Sequence, residues 1–231
     1  MRRIAVFMFL LPVFCSCCVV ADSLQAIIPA VAEEDAVPID DGNLLFIGSN
    51  PYSPPLVLTF AGDLMAHTVN FNMKSYDLIY TDVEKILHND DLSFVNVETP
   101  VCDVLPLSTY PSFNVHTPYV RAAVQAGFDV LSLANNHTND HGKIGIDGTL
   151  TAIRTVQKER PTSGILPSFL IFSGLKDSEN DPIQVTPLFY KGWNILFCSV
   201  TEILNSYDSS KARLYYSAPT KQGREELLSV I

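Results

Sequence analysis

Residues 126–142 read A-G-F-D-V-L-S-L-A-N-N-H-T-N-D-H-G. Gly127 is a residue that ends helices, and F-D-V-L-S-L-A (128–134) is a continuous apolar run, which predicts a strand buried on both faces. The run breaks off into asparagine, histidine and aspartate. Working outward, L-V-L-T-F-A (56–61) predicts a strand ending in Gly62-Asp63, and L-S-F-V-N-V-E (92–98) predicts another. Between them Y-D-L-I-Y-T-D-V-E-K-I-L-H (76–88) has helical periodicity, with Leu78, Ile79, Val83, Ile86 and Leu87 on one broad face. Thr117-Pro118 opens a helix with Thr117 as N-cap and proline at the first helical position, and that helix stops at Gly127. A further helix is expected from about Asp147 to Glu159, then apolar strands near 169–173 and 194–200. Strands alternating with helices argue for an α/β layered fold with covered sheet faces.

Three of the strands end alike. The first gives G-D-L-M-A-H (62–67), the second N-V-E-T-P (96–100), the third A-N-N-H-T-N-D-H-G (134–142). Ligands in open α/β sheets gather outside the carboxyl ends of the strands. These loops would therefore bring Asp63, His67, Asn96, Glu98, Asn136 and His137 toward one crevice. Carboxylate, amide oxygen and imidazole together make the mixed donor set of hydrolytic divalent-metal sites. Each motif has a plainer reading by itself: Asp63 as a helix cap, Asn96 and Glu98 as partners of backbone or arginine, the asparagines as left-handed turn residues. Three successive strands with the same ending are harder to explain by turn chemistry. His88 and His116 have no polar constellation near them and read as surface or structural residues.

The 231 residues suit one domain plus a targeting segment. With 47% hydrophobic and 17% charged residues the chain can build a core. Its formal charge of -10 disfavours nucleic acid, which needs a basic surface. Residues 1–21 read as a secretory signal: Arg2 and Arg3 precede an apolar run too short to span a bilayer. Cleavage after Ala21 and lipidation of Cys17 in F-C-S-C are both open. Residues 22–55, acidic and containing prolines, read as a solvated tether with a short strand at Leu44–Ile47, and 56–231 as the domain. Cys102 and Cys198 read as small buried hydrophobes or as a disulfide pair.

T-F-A-G-D-L-M-A-H, N-V-E-T-P and the 126–142 stretch together resemble the bacterial capsule-synthesis family known as CapA, the poly-γ-glutamate biosynthesis group related to calcineurin-like metallophosphoesterases. The resemblance runs from about Leu56 to about Val200. It implies a metallophosphatase-like α/β/β/α layered sandwich. It also implies an exported, membrane-associated protein at the periplasmic or cell surface, working with polymer-synthesis machinery on an anionic polymer. Asp63, His67, Asn96, Glu98 and Asn136 would hold metal (Mn, Fe or Zn, since imidazole favours transition metals), and His137 would act as catalytic acid. The family's later motifs, a histidine-and-glutamate strand end, a G-H-x-x-H-type loop and an S-L-G-N-F-like strand, have no counterpart; after Val200 there is no histidine. The domain therefore reads as missing its C-terminal part, which argues against full phosphoesterase activity and for weak metal affinity. A non-catalytic envelope binding module and a truncated remnant stay open as alternatives.

Overall fold

The computed structural model describes residues 55–160 and 167–230, together with the backbone of two N-terminal strands. Those strands are β1 (Arg3–Leu11) and β2 (Phe14–Val20). The others are β3 (Leu58–Leu64), β4 (Leu92–Val97), β5 (Val130–Ser132), β6 (Ile171–Ser173), β7 (Thr186–Tyr190) and β8 (Trp193–Val200). They form two four-stranded sheets, ordered β3-β4-β5-β6 and β2-β1-β8-β7. The first is wholly parallel. The helices are two single turns, α1 (Thr68–Phe71) and α2 (Glu84–Leu87), then α3 (Thr117–Ala126), α4 (Gly142–Glu159) and α5 (Lys221–Leu228).

β4 shows why the parallel sheet lies in the middle. All six of its residues are buried, and they alternate between two cores. Val95 and Val97 pack with Val120 and Val124 of α3 and Ile146 and Ile153 of α4. Leu92 and Phe94 pack with Trp193, Ile195 and Phe197 of β8. One face thus meets helices and the other meets the second sheet. On the second sheet, Cys198 and Val200 join Leu227 of α5 in a third cluster. The fold is the expected layered α/β arrangement.

The two sheets also meet through a polar seam. Ser132 and Ser199 share a hydroxyl hydrogen bond of 2.8 Å, Ala134 N donates to Ser199 Oγ at 3.0 Å, and Ser199 N donates to Ser173 Oγ at 3.1 Å. All three serines are buried, so each polar group has to find its partner inside the protein. Gly174, at φ 121, lets the chain pass against Ala134 here; a Cβ on it would lie 2.5 Å from Ala134 N.

Several elements differ from the sequence expectation. Residues 76–88 are not one helix but a 3-10 turn at Tyr76–Ile79 and the single turn α2, leaving Leu78, Val83 and Ile86 exposed. Tyr80 and Leu87 are the anchors that reach the core, and turn bonds such as Val83 N to Tyr80 O at 2.9 Å break the helical run between them. α3 begins at Thr117 itself. Its cap comes from Asp103, whose carboxylate accepts from Thr117 N at 2.7 Å and from Thr117 Oγ1 at 2.6 Å. α4 starts at Gly142 rather than about Asp147, and the 128–134 run supplies only three strand residues. Residues 3–11 and 14–20, expected in a leader outside the fold, lie in the second sheet. β1 runs parallel to β8 from Arg3 opposite Asn194 to Phe9 opposite Val200. An apolar strand with an open row of backbone donors and acceptors favours another apolar strand beside it. β8 is therefore paired on both sides, by β1 and β7. The expected strand at 44–47 and nearly all of the 22–55 tether lie outside the described residues.

Candidate functional site

The carboxyl ends of β3, β4 and β5 lie side by side, with Asp63 opposite Asn96 and Asn96 opposite Ser132. A register shift between Phe60 and Asp63 re-aims the end of β3, as bulges beside functional sites do. Asp63 is exposed there, whereas Asn96 is fully buried and Glu98 is 7% exposed. Asn96 Nδ2 donates to Asp63 Oδ1 at 2.8 Å and to Glu98 Oε2 at 3.1 Å. Its amide oxygen turns the other way and accepts from Asn135 Nδ2 at 3.2 Å. Asn96 therefore organises the two acids rather than offering them its oxygen. Burial pushes the Glu98 carboxyl up to about 8, helped by a hydrogen bond and like-charge repulsion from Asp63 and, more weakly, by Asp140. Buried beside another acid and without a counter-charge, Glu98 keeps its proton to higher pH than an isolated carboxyl.

Asn135 locks the next loop onto this pair. Its Nδ2 also donates to Val97 O at 2.8 Å, while its Oδ1 accepts from His137 N at 3.1 Å. Thr138 Oγ1 closes the turn by donating to Leu133 O at 2.8 Å. His137 is 8% exposed, with Nδ1 2.8 Å from Asp140 Oδ2. A carboxylate partner at Nδ1 favours the tautomer that donates from Nδ1 and leaves Nε2 as the accepting nitrogen. Asp140 Oδ2 is itself held by Phe113 N at 2.8 Å. Asn205, from the segment after β8, brings its Nδ2 to 3.0 Å from Nδ1 and 3.4 Å from Nε2 of His137. It is tied to Asn136 twice: Asn205 N donates to Asn136 O at 3.0 Å, and Asn136 Nδ2 to Asn205 Oδ1 at 3.3 Å.

Asp63, Asn96 and Glu98 are thus in direct contact, and Asn136 and His137 form a second group beside them. His67 stands apart. Its Nδ1 bonds Thr109 Oγ1 at 3.0 Å, and its ring meets Phe113 edge-on at 5.3 Å, the same phenyl ring that meets His137 at 4.8 Å. His116 is structural as expected, bonding Leu105 O at 2.8 Å. Sequence reasoning missed the roles of Asn135, Asp140 and Asn205. Asp140, three residues beyond His137, could have been found from its spacing. Nothing in the irregular segment around Asn205 marks that residue.

Among the described residues no three His, Cys, Asp or Glu side chains converge on one point. The site offers two adjacent carboxylates, with solvent to complete a shell. A divalent cation fits that pair, because it can replace the Glu98 proton and relieve the repulsion. The donors are oxygens, which suit Mn²⁺ or Mg²⁺ better than an imidazole-rich shell would.

Residues 57–228 match the family model described as bacterial capsule synthesis protein PGA_cap. Over 108 residues the chain is 33% identical to the capsule biosynthesis protein CapA of Bacillus anthracis. That alignment takes in 43% of this chain and 26% of the relative, so the chain matches about a quarter of that protein's length.

Proposed function

Since the chain belongs to the bacterial capsule synthesis protein family PGA_cap, we propose that it serves capsule assembly through a metallophosphoesterase-like site at the ends of β3, β4 and β5. The observation that carries this reading is the Asp63–Glu98 pair, with Glu98 held up at about 8. Asp63 and Glu98 would hold a divalent cation, Mn²⁺ in the first instance. When bound, such an ion lowers the pKa of its water and stabilises charge on a phosphoryl oxygen. The remaining roles belong to the chain. Asn96 fixes the spacing of the two carboxylates. Asp140 holds the ring of His137 in one orientation through Nδ1, and the imidazolium so held would give its Nε2 proton to the leaving oxygen. Asn136 and His67 border the site as further contacts. The polymer is of the poly-γ-glutamate type, and the protein works exported and membrane-associated, beside the polymer-synthesis machinery. The basic start, the apolar run and F-C-S-C support export; processing before Cys17 would remove β1 and uncover the edge of β8 that it pairs, and loss of palmitate labelling in Cys17→Ser would identify a lipid anchor.

Mn²⁺ titration of the full chain tests the site. At about 100 times its Kd a ligand stabilises by about 2.7 kcal/mol, roughly 5–11 °C in Tm at this length. Asp63→Asn and Glu98→Gln are expected to lose that shift. Slow turnover of a chromogenic phosphodiester is expected in the wild type, because the later histidine motifs are missing, and none in His137→Ala, which keeps the Mn²⁺ shift. Equal shifts in wild type and Asp63→Asn would refute the metal site. The absence of three converging His, Cys, Asp or Glu ligands among the described residues favours a second reading, a non-catalytic envelope binding module. A Mn²⁺ shift without turnover would select it.

A further inference from the structure

The segment that brings Asn205 to His137 continues past the site as an ordered wall. Asn139, in the His137 turn, donates through Nδ2 to Ser206 O at 2.9 Å and bonds Ser210 Oγ at 3.2 Å. A 3-10 helix, Ser209–Arg213, follows, capped by Asp208 Oδ1 accepting from Ser210 N at 2.8 Å. Arg213, 5% exposed, fixes that helix to α4 by pairing with Asp147 at 2.9 Å, and to the 176 backbone through Lys176 O at 2.8 Å. On this frame sits Tyr207, 58% exposed, beside Tyr216, their rings edge to face at 6.2 Å and 85°. Lys211 places its ammonium 5.1 Å from the Tyr216 centroid and 5.9 Å from the Tyr207 centroid.

Among the described residues Lys211 makes no ion pair, and its three N–H donors have no protein acceptor. Two aromatic faces hold the cation in one place, and ring quadrupoles attract it without neutralising it. The chain carries a net charge of -10, and the neighbouring site contains Asp63, Glu98 and Asp140. A polyanion is repelled by such surroundings except where a fixed positive charge receives it. One immobilised ammonium beside an exposed ring matches a carboxylate and the methylene groups next to it.

We infer that Tyr207, Lys211 and Tyr216 form a binding subsite for a carboxylate-bearing polymer chain, Lys211 taking the carboxylate and the Tyr207 ring the adjoining methylenes. The subsite extends the proposed role of the His137 site, since Asn205 and Asn139 place it next to that histidine. A neutral glycan would need the exposed ring and not the lysine.

The test is fluorescence anisotropy of a labelled γ-linked glutamate oligomer against the full chain, at low salt and with EDTA present, so that the outcome does not depend on whether the carboxylate pair holds metal. A neutral dextran oligomer is run in parallel. The glutamate oligomer is expected to bind wild type and Lys211→Arg alike, and Lys211→Gln about tenfold more weakly, the size of one charge-assisted hydrogen bond. Tyr207→Ala is expected to weaken it similarly, and added salt to weaken it throughout. Thermal melting of each variant separates lost binding from lost folding; Lys211 lies near the surface and Lys211→Gln should melt with the wild type. Undiminished binding by folded Lys211→Gln, no oligomer binding by wild type, or dextran binding as tight as that of the glutamate oligomer would each overturn the assignment.

Discussion

Replacing Arg160 by methionine would remove a cation that the fold has sealed away. The side chains of Arg160 and Asp129 are each 1% exposed and form an ion pair. The guanidinium also donates to Pro167 O and Phe128 O, both at 2.8 Å, while Asp129 Oδ2 accepts from Ser93 N at 2.9 Å. This pair ties the end of α4 to the starts of β5 and β4. Burial pushes the Asp129 carboxyl up to about 7, against the pull of the Ser93 N–H and of Arg160. An unfolded aspartate titrates near about 3.9. The folded state therefore binds the additional proton between those values, and stability falls as pH rises from about 4 to about 7, then levels. Without Arg160 the folded carboxyl moves higher still, so the fall continues above about 7. Two buried carbonyls lose their donors, at about 1–1.5 kcal/mol each. The expected loss is about 2–3 kcal/mol near about pH 6, roughly 4–12 °C in Tm. Above about pH 7 the gap widens by as much as about 1.4 kcal/mol per unit. Asp129→Asn behaves differently: asparagine carries no titrating proton, so this protein lacks the fall in stability that the wild type shows up to about pH 7. Melting curves of the three proteins from about pH 6 to about pH 8.5 decide the matter. A wild-type to Arg160→Met gap that stays constant over that range, or an Asp129→Asn protein whose stability falls with pH as the wild type's does, would refute the reasoning.

Gly174→Ala is expected to destabilise by about 2–4 kcal/mol, because φ is 121 and the new Cβ would lie 2.5 Å from Ala134 N; an unchanged melting curve would contradict this. Asp103→Ala removes both acceptors at the start of α3 and should cost about 1 kcal/mol, read as a Tm loss of roughly 2–4 °C. Cys102 and Cys198 are free and each 1% exposed, and burial pushes the Cys198 thiol up to about 11. Alkylation of the native protein should run at least about 100-fold slower than in denaturant, and comparable rates would rule out the buried thiols.

The strand ends were legible because apolar runs there stop abruptly at residues that core packing does not want. Asp63, Asn96 and Glu98 meet as the pattern of β3 and β4 implies. What escaped depended on distance along the chain. Asp103 caps a helix that starts at Thr117, and Asn205 reaches His137 from beyond another sheet; neither pairing leaves a local periodicity. The misread of residues 76–88 has a different cause. Leu78, Val83 and Ile86 fit a helical stripe, yet only Tyr80 and Leu87 are buried, so the spacing was helical while the backbone was not. The direction of the Asn96 amide was equally illegible, since Asn135 decides it.

The serine seam between the sheets has a consequence for chemistry as well as for folding. Shortly beyond Ser132 the chain reaches His137, and shortly beyond Ser199 it reaches Asn205. The 2.8 Å hydroxyl bond between those serines therefore acts as a gauge block, setting the opening into which imidazole and amide both project. Swapping Ser199 for valine would wedge the sheets apart by the width of a methyl group. The swap would also strand Ala134 N and the buried Ser132 hydroxyl, both partnered by Ser199 Oγ, so the melting temperature would fall while the histidine and asparagine lost their alignment. Precision at the rim of this protein is machined in its interior.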